Sequence, residues 1–205
     1  MAFYFDNNPS SVSNEKIIHA NICGRMYTFY TDSDVFSKNG LDYGTRTLLE
    51  NINLNDFRGD VLDFGCGYGP IGIYVKKNTN CNVDMIDINK RAINLSKKNA
   101  RVNSVLVNVY ESDIYTNIKK KYDVIITNPP IRVGKKILYE ILFKANEYLK
   151  DGGVLYLVIN KSQGAKSLKK DLENTYLVST ICKSSGFYVY KCKKHWLTCN
   201  FLLKL

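Results

Sequence analysis

Apolar residues along this chain recur with two periods. Short apolar runs at 61–64, 83–88, 105–110, 122–127 and 154–160 are too brief for helices and read as strands buried on both faces. Between them the spacing becomes helical. Over 135–150 the apolar positions 138, 141, 142, 145 and 149 form one stripe of an amphipathic helix, which Gly152-Gly153 ends. Pro70 suits a first helical turn, with Ile71, Ile73, Tyr74 and Val75 following it. Further helices are expected at 45–51 and 162–173. Residues 175–182 and 186–192, joined by a turn at 184–186, read as a closing antiparallel pair. The alternation predicts an α/β fold: a Rossmann-like, doubly wound sheet of seven strands, mostly parallel, with an antiparallel last strand. Residues 15–23 and 25–31, around Gly24, predict a hairpin in front of it.

One domain is expected over 1–205: a disordered or loosely attached 1–13, the hairpin within 14–34, a core over 35–195 and an apolar tail, 196–205. For the tail, an extra strand, a dimer contact and disorder all stay open.

The first strand runs into Gly65-Cys66-Gly67-Tyr68-Gly69. Glycine at every second position lets the backbone turn sharply and approach a ligand closely. In open α/β sheets, ligands bind at the carboxyl ends of strands, where this turn lies. The pattern is not the dinucleotide G-x-G-x-x-G. Asp63, two residues before the first glycine, can face a ligand's positively charged amino group, directly or through water. Asp87 closes the second strand 22 residues after Gly65, near the offset at which an acid accepts from ribose hydroxyls. Asn89 is the better cap for the next helix, which leaves Asp87 for that task. Asp113 can accept from an adenine amino group, with Ile88 and Ile114 flanking the ring. On spacing alone it is equally a solvated loop residue. Cys66 suits the turn as a small side chain, and alkylating it is expected to block binding.

Residues 128–131 read Asn-Pro-Pro-Ile. A residue before proline is pushed out of the helical region, and proline fixes its own φ, so this strand end is stiff. An exocyclic amine conjugated to its ring is a poor nucleophile. Two acceptors, the Asn128 side-chain oxygen and the Pro129 carbonyl, can bind both N–H groups and aim the lone pair. Pro130 and Ile131 complete the candidate catalytic corner, and Asn128 also adjoins the cofactor. The glycine turn and this corner, in this order, fit a methyltransferase that uses S-adenosyl-L-methionine and methylates a planar nitrogen.

The chain resembles the small-methyltransferase-domain family of class I S-adenosylmethionine-dependent enzymes. Besides the two motifs, the likeness rests on Val35-Phe36-Ser37-Lys38-Asn39-Gly40-Leu41-Asp42-Tyr43-Gly44-Thr45 and on Ile131-Arg132-Val133-Gly134-Lys135. It runs from about Arg25 to about Lys194. The resemblance implies methyl transfer to guanine N2 of small-subunit ribosomal RNA. The implied partner is that RNA or the small ribosomal subunit, in the cytoplasm, with the enzyme a monomer or weak homodimer. Many relatives carry Tyr or Phe after the prolines, where it can stack on the target ring. This chain has Ile131, so stacking must come from elsewhere or apolar contact suffices.

Charge adds to this picture. The net charge is +10, and residues 103–205 carry 17 basic against 8 acidic side chains. Basic clusters at 119–121, at Arg132, Lys135 and Lys136, at 161–170 and at 191–194 favour phosphate contact. General Lys and Asn richness accounts for them equally well, but Arg132, Lys135 and Lys136 adjoin the corner. Six cysteines without a Cys-x-x-Cys pair, and two histidines, give no readable zinc site. They read as free thiols of a cytosolic protein. The longest apolar run, 154–159, is too short to span a membrane, and 1–16 lacks signal-peptide character. Two other functions compete: methylation of a protein glutamine amide, and a non-catalytic RNA-binding or assembly module.

Overall fold

The computed structural model describes residues 12–195. Its elements are β1 (Lys16–Ile22), β2 (Arg25–Thr31), α1 (Tyr43–Asn51), β3 (Asp60–Phe64), α2 (Pro70–Asn78), β4 (Asn82–Asp87), α3 (Lys90–Val102), β5 (Asn108–Glu111), β6 (Tyr122–Thr127), α4 (Lys135–Tyr148), β7 (Leu149–Asn160), α5 (Ala165–Leu172), β8 (Tyr176–Ser184) and β9 (Phe187–Lys194). Seven strands form one sheet in the order β5-β4-β3-β6-β7-β9-β8, and β1 pairs with β2 alone. Neighbours from β5 to β7 run parallel, and β9 is antiparallel to both β7 and β8. The expected doubly wound sheet is therefore present. Winding reverses between β3 and β6, and such a switch point opens a crevice at the carboxyl ends of the strands.

Strand parity divides the core. Val61, Val124 and Ile126 face the hairpin side, packed with α1, α2 and α3. Leu62, Phe64 and Ile125 face the other side, packed with α4 and α5. The stripe expected on α4 is the face it buries: Leu138, Ile141, Leu142 and Ala145. Each fully buried aliphatic side chain of this kind stabilises the fold by about 1.5–3 kcal/mol.

Both hairpins close on two-residue loops with positive φ, Cys23-Gly24 and Ser185-Gly186. That geometry matches the right-handed twist of the strands. The β1–β2 hairpin is held to α3 by two asparagines one helical turn apart. Asn99 accepts from the Tyr30 N–H at 2.7 Å and donates to the Tyr30 carbonyl at 2.9 Å. Asn103 does the same for Thr28, at 3.3 and 2.8 Å. Two amides at i and i+4 thus stand in for a neighbouring strand along β2. Residues 1–11 and the tail 196–205 lie outside the described residues. Ser13 and Asn14 bind the Asp32 carboxylate and tie the start of the described chain to the end of β2.

Several boundaries differ from expectation. The third strand is not 105–110 but Asn108–Glu111. The Val105 N–H is taken by the Ala100 carbonyl at the end of α3, Ser104 has φ 56°, and Leu106 is 87% exposed. Helix α4 ends at Tyr148, not at 150. Leu149 already pairs with Tyr122, and the ladder resumes at Val154 after a bulge that contains the two glycines. A Cβ at Gly153 would lie 2.8 Å from the Lys150 carbonyl, which explains the glycine there. The helix expected over 162–173 is split: a 3-10 turn spans Lys161–Gln163, and Gly164, at φ 80°, begins α5.

Asp63 points from β3 toward α2 and is fully buried. One carboxylate oxygen accepts from the Gly72 N–H at 2.8 Å, and the other has no partner among the described residues. Burial pushes this carboxyl up to about 7, with nearby Asp87 adding to the rise and the Gly72 N–H opposing it. Between the ordinary carboxyl value of 3.8 and about 7 the folded state keeps the extra proton, so this group's contribution to stability is lost as pH rises through that window. Asp63→Asn removes the loss. Its melting temperature relative to the wild type should climb between pH 4 and pH 7; a constant difference refutes the raised carboxyl.

Candidate active site

A cavity of about 490 Å³ opens at the carboxyl ends of β3, β4, β6 and β7. Its floor is the turn between β3 and α2. Gly65, Gly67 and Gly69 all have positive φ, at 69°, 57° and 95°. A Cβ on Gly65 or Gly67 would meet no protein atom within 4 Å, so the bare backbone there leaves room for a ligand. Gly69 is different: its Cβ would lie 2.8 Å from Met85 Cε, so that glycine serves packing. The turn is pinned from below. The Cys66 N–H donates to the Ile86 carbonyl at 2.8 Å. Asn99 Nδ2 donates to the Tyr68 carbonyl at 2.8 Å, and the Tyr68 ring meets Phe29 edge-on at 5.4 Å. The hairpin thereby supports the turn.

Asp87 stands where the sequence put it. Its two oxygens accept from the Gly67 N–H at 2.8 Å and the Asn89 N–H at 2.9 Å. Burial raises its carboxyl above the usual range, and those N–H groups oppose the rise. The carboxylate lines the cavity and has more acceptor sites than these N–H groups use. Asn89 caps α3 by accepting from the Arg91 and Ala92 N–H groups, which leaves Asp87 at the wall. Ile88, Asp113 and Ile114 also line the cavity. Asp113 is exposed. Ile114 has φ 49°, costly for a β-branched residue by about 1–3 kcal/mol and characteristic of a strained site loop.

Two of the expected site residues are buried. Asp63 is fully buried and not among the residues on the cavity wall, with one oxygen unpartnered among the described residues. The Cys66 thiol is buried against Ser96 at 3.5 Å, and burial pushes its pKa well up. Such a thiol is inert, and alkylation from the cavity is disfavoured.

Across the cavity stands Asn128. Its Nδ2 donates to Asp42 Oδ2 at 2.8 Å and to Thr45 Oγ1 at 3.0 Å. A carboxylate can only accept, so the amide cannot be flipped. Oδ1 is left as an acceptor beside the Pro129 carbonyl, which no hydrogen bond among the described residues uses. Pro129, Pro130 and Ile131 line the same wall. Asp42 also caps α1, accepting from the Thr45 N–H at 2.8 Å. Sequence reasoning gave Asp42 and Thr45 no role, although both lie in the segment that carries the resemblance. An Asp three residues before a Thr, ahead of an apolar run, was a readable cap. Two aromatic side chains, Phe36 and Phe187, are on the cavity wall that also carries Ile131.

The basic clusters separate by position. Lys120 and Lys150 pair with Asp60, Asp84 and Asp123 near the amino ends of the strands, away from the cavity. Lys191 pairs with Asp56, and Lys194 donates to carbonyls at the end of α4. Lys135 and Lys136 begin α4 beside the cavity and are exposed, with Lys135 Nζ 4.8 Å from the Tyr139 ring centre. Arg132 falls in the 3-10 turn Ile131–Val133. Among the described residues no cluster of His, Cys, Asp or Glu could hold a metal, and no helix is long and apolar enough to cross a membrane.

Comparison with known proteins places this geometry. The methyltransferase small domain matches residues 26–191. The uncharacterized protein YbxB of Bacillus subtilis is 40% identical over 196 residues, which cover 93% of this chain and 98% of that protein. Ribosomal RNA small subunit methyltransferase C of Haemophilus influenzae is 37% identical over 171 residues, 81% of this chain and 51% of the relative. A 16S rRNA N2 methyltransferase of T. thermophilus, solved with AdoMet and guanosine, superposes with a TM-score of 0.80 at 26% identity, covering 91% of this chain and 52% of that one. The chain thus spans about half the length of those two methyltransferases. A ribosomal protein methylase from Lactobacillus delbrueckii, at 19% identity and a TM-score of 0.64, shares the fold, covering 76% of this chain and 85% of its own. The glycine turn, Asp87 and the Asn-Pro-Pro corner all fall within the matched residues, and the chain belongs to the methyltransferase small domain family.

Proposed function

We propose that this protein methylates an exocyclic amine, that of guanine N2 in small-subunit ribosomal RNA. The observation that carries the reading is the fixed orientation of Asn128, which leaves Oδ1 and the Pro129 carbonyl as neighbouring acceptors on the cavity wall. Acceptors are what an aryl amine needs, since it offers two N–H groups and its lone pair must be freed from the ring. The cofactor is S-adenosylmethionine. Its adenosine fits the cavity over the bare Gly65 and Gly67 backbone. Asp87 accepts from the ribose, Asp113 from the adenine amine, and Ile88 and Ile114 flank the ring. When bound, it supplies an electrophilic methyl on a sulfonium that departs as a neutral thioether. The protein's part is position and polarity. Asn128 and Pro129 orient the amine, and Pro130 and Ile131 hold the base edge. The surplus proton leaves to water after transfer, so no strong base is needed at the corner.

Asp87→Ala should abolish most of the rise in melting temperature that S-adenosylmethionine gives the wild type by mass action. An unchanged rise would make Asp87 a strand-end residue only.

Asn128→Ala removes an acceptor that matters most when the amine becomes tetrahedral. Turnover should fall by roughly a hundredfold or more, with cofactor affinity little changed. Turnover that survives would remove Asn128 from the chemistry.

RNA affinity should fall steeply with salt. Replacing Lys135 and Lys136 by alanine should flatten the log–log slope by about 0.7 for each single-strand phosphate that those lysines neutralise. Lys120→Ala, on the far side, should leave the slope alone. With radiolabelled cofactor and ribosomal subunits, label should appear as N2-methylguanine; label on a glutamine side chain would establish the competing reading.

A further inference from the structure

The wall beside the Asn-Pro-Pro corner carries the opposite polarity. β7 ends at Asn160 and the chain turns at once, the Lys161 N–H donating to the Gly186 carbonyl at 2.6 Å. Asn160 Oδ1 accepts from the Ser162 N–H at 2.9 Å and from Ser162 Oγ at 2.8 Å. In return the Asn160 N–H donates to Gln163 Oε1 at 2.9 Å. A backbone N–H can only donate, so the atom it meets on each amide must be the oxygen. The oxygens are therefore engaged, and Asn160 Nδ2 and Gln163 Nε2 remain as donors that no hydrogen bond among the described residues uses. Both residues line the cavity.

The spacing suits one purine. Thr127 on β6 lies opposite Leu157 on β7, so Asn128 and Asn160 are one and three residues beyond that pair. With a rise of about 3.3 Å per residue and strands about 4.8 Å apart, their Cα atoms are roughly 8 Å apart. Phe187 is the register partner of Asn160 on β9 and also lines the cavity. Its ring sits 5.6 Å from that of Tyr43, over Gly44, where a Cβ would lie 2.9 Å from the Phe187 ring edge.

We propose that Asn160 and Gln163 are specificity residues, whose amide donors bind the carbonyl oxygen of the target base while its amine is held at Asn128. This rests on the reading of the site as one that methylates a base amine. Guanine offers an O6 acceptor beside N7, whereas adenine offers an amine at that position. Two donors facing two acceptors therefore select a purine with an amine on one side and a carbonyl on the other.

Asn160→Asp and Gln163→Glu keep the oxygens that the turn needs and put an anionic acceptor where each donor stood. With S-adenosylhomocysteine present, 2-aminopurine riboside is a fluorescent probe that has the amine but lacks the 6-oxygen. Guanosine and 2,6-diaminopurine riboside are measured by competing it off. The wild type should bind guanosine about tenfold or more tighter than the probe, and the diaminopurine more weakly still. The double variant should lose the guanosine preference while still binding the probe. A wild type without this ranking overturns the proposal, as does a variant that keeps it. Nucleoside analysis of RNA labelled by the wild type separates the two levels. Label on adenine or on protein overturns the parent reading and this one with it. Guanine labelling together with an unchanged preference overturns this one alone.

Discussion

The site depends on the hydrogen bond between the Asp42 carboxylate and the Asn128 amide. Asp42 can accept only, so the NH₂ end of Asn128 faces it and the oxygen is turned toward the cavity. The same Asp42 oxygen caps α1 through the Thr45 N–H, and Thr45 Oγ1 accepts from Asn128 as well. The end of β6 and the start of α1 are thereby locked together, although they are 86 residues apart in sequence. A charged acceptor makes this bond stronger than a neutral one. Without it the proline-stiffened backbone would be in place, but nothing would choose which end of the amide is left unpaired.

A second set of amides holds the opposite side. Asn99 and Asn103 satisfy the polar edge of β2, and Asn99 also takes the Tyr68 carbonyl of the glycine turn. The small hairpin is thus a brace for the cofactor turn. Glycine turns are entropically expensive to order, and bracing by Phe29 against Tyr68 and by Asn99 offsets that cost.

Charge is segregated along the strands. The amino ends of β3, β4 and β6 carry a lysine–aspartate network around Asp60, Asp84 and Asp123. The carboxyl ends instead bring the Asp87 carboxylate and the Asn128 and Asn160 amides onto the wall of one cavity. Lys120, Lys150 and Lys191 are engaged with aspartates of this network and of the turn before β3, so not every basic cluster in the sequence is free to meet a polyanion.

By itself the sequence determined the class of fold, the order of its elements, the glycine turn, the acid at the end of β4 and the stiff Asn-Pro-Pro corner. These are local matters: periodicity, glycine at every second position, and proline's fixed φ act within a few residues. Short-range signals misjudged where β5 begins and where α4 gives way to β7, because pairing partners decide those ends. Only the tertiary structure decided the orientation of Asn128, the burial of Asp63, the pairing of Lys120 away from the cavity, and the placing of Phe36 and Phe187 on the cavity wall. Each depends on a partner tens of residues away, and no local pattern records which donor an acceptor will face once the sheet is wound.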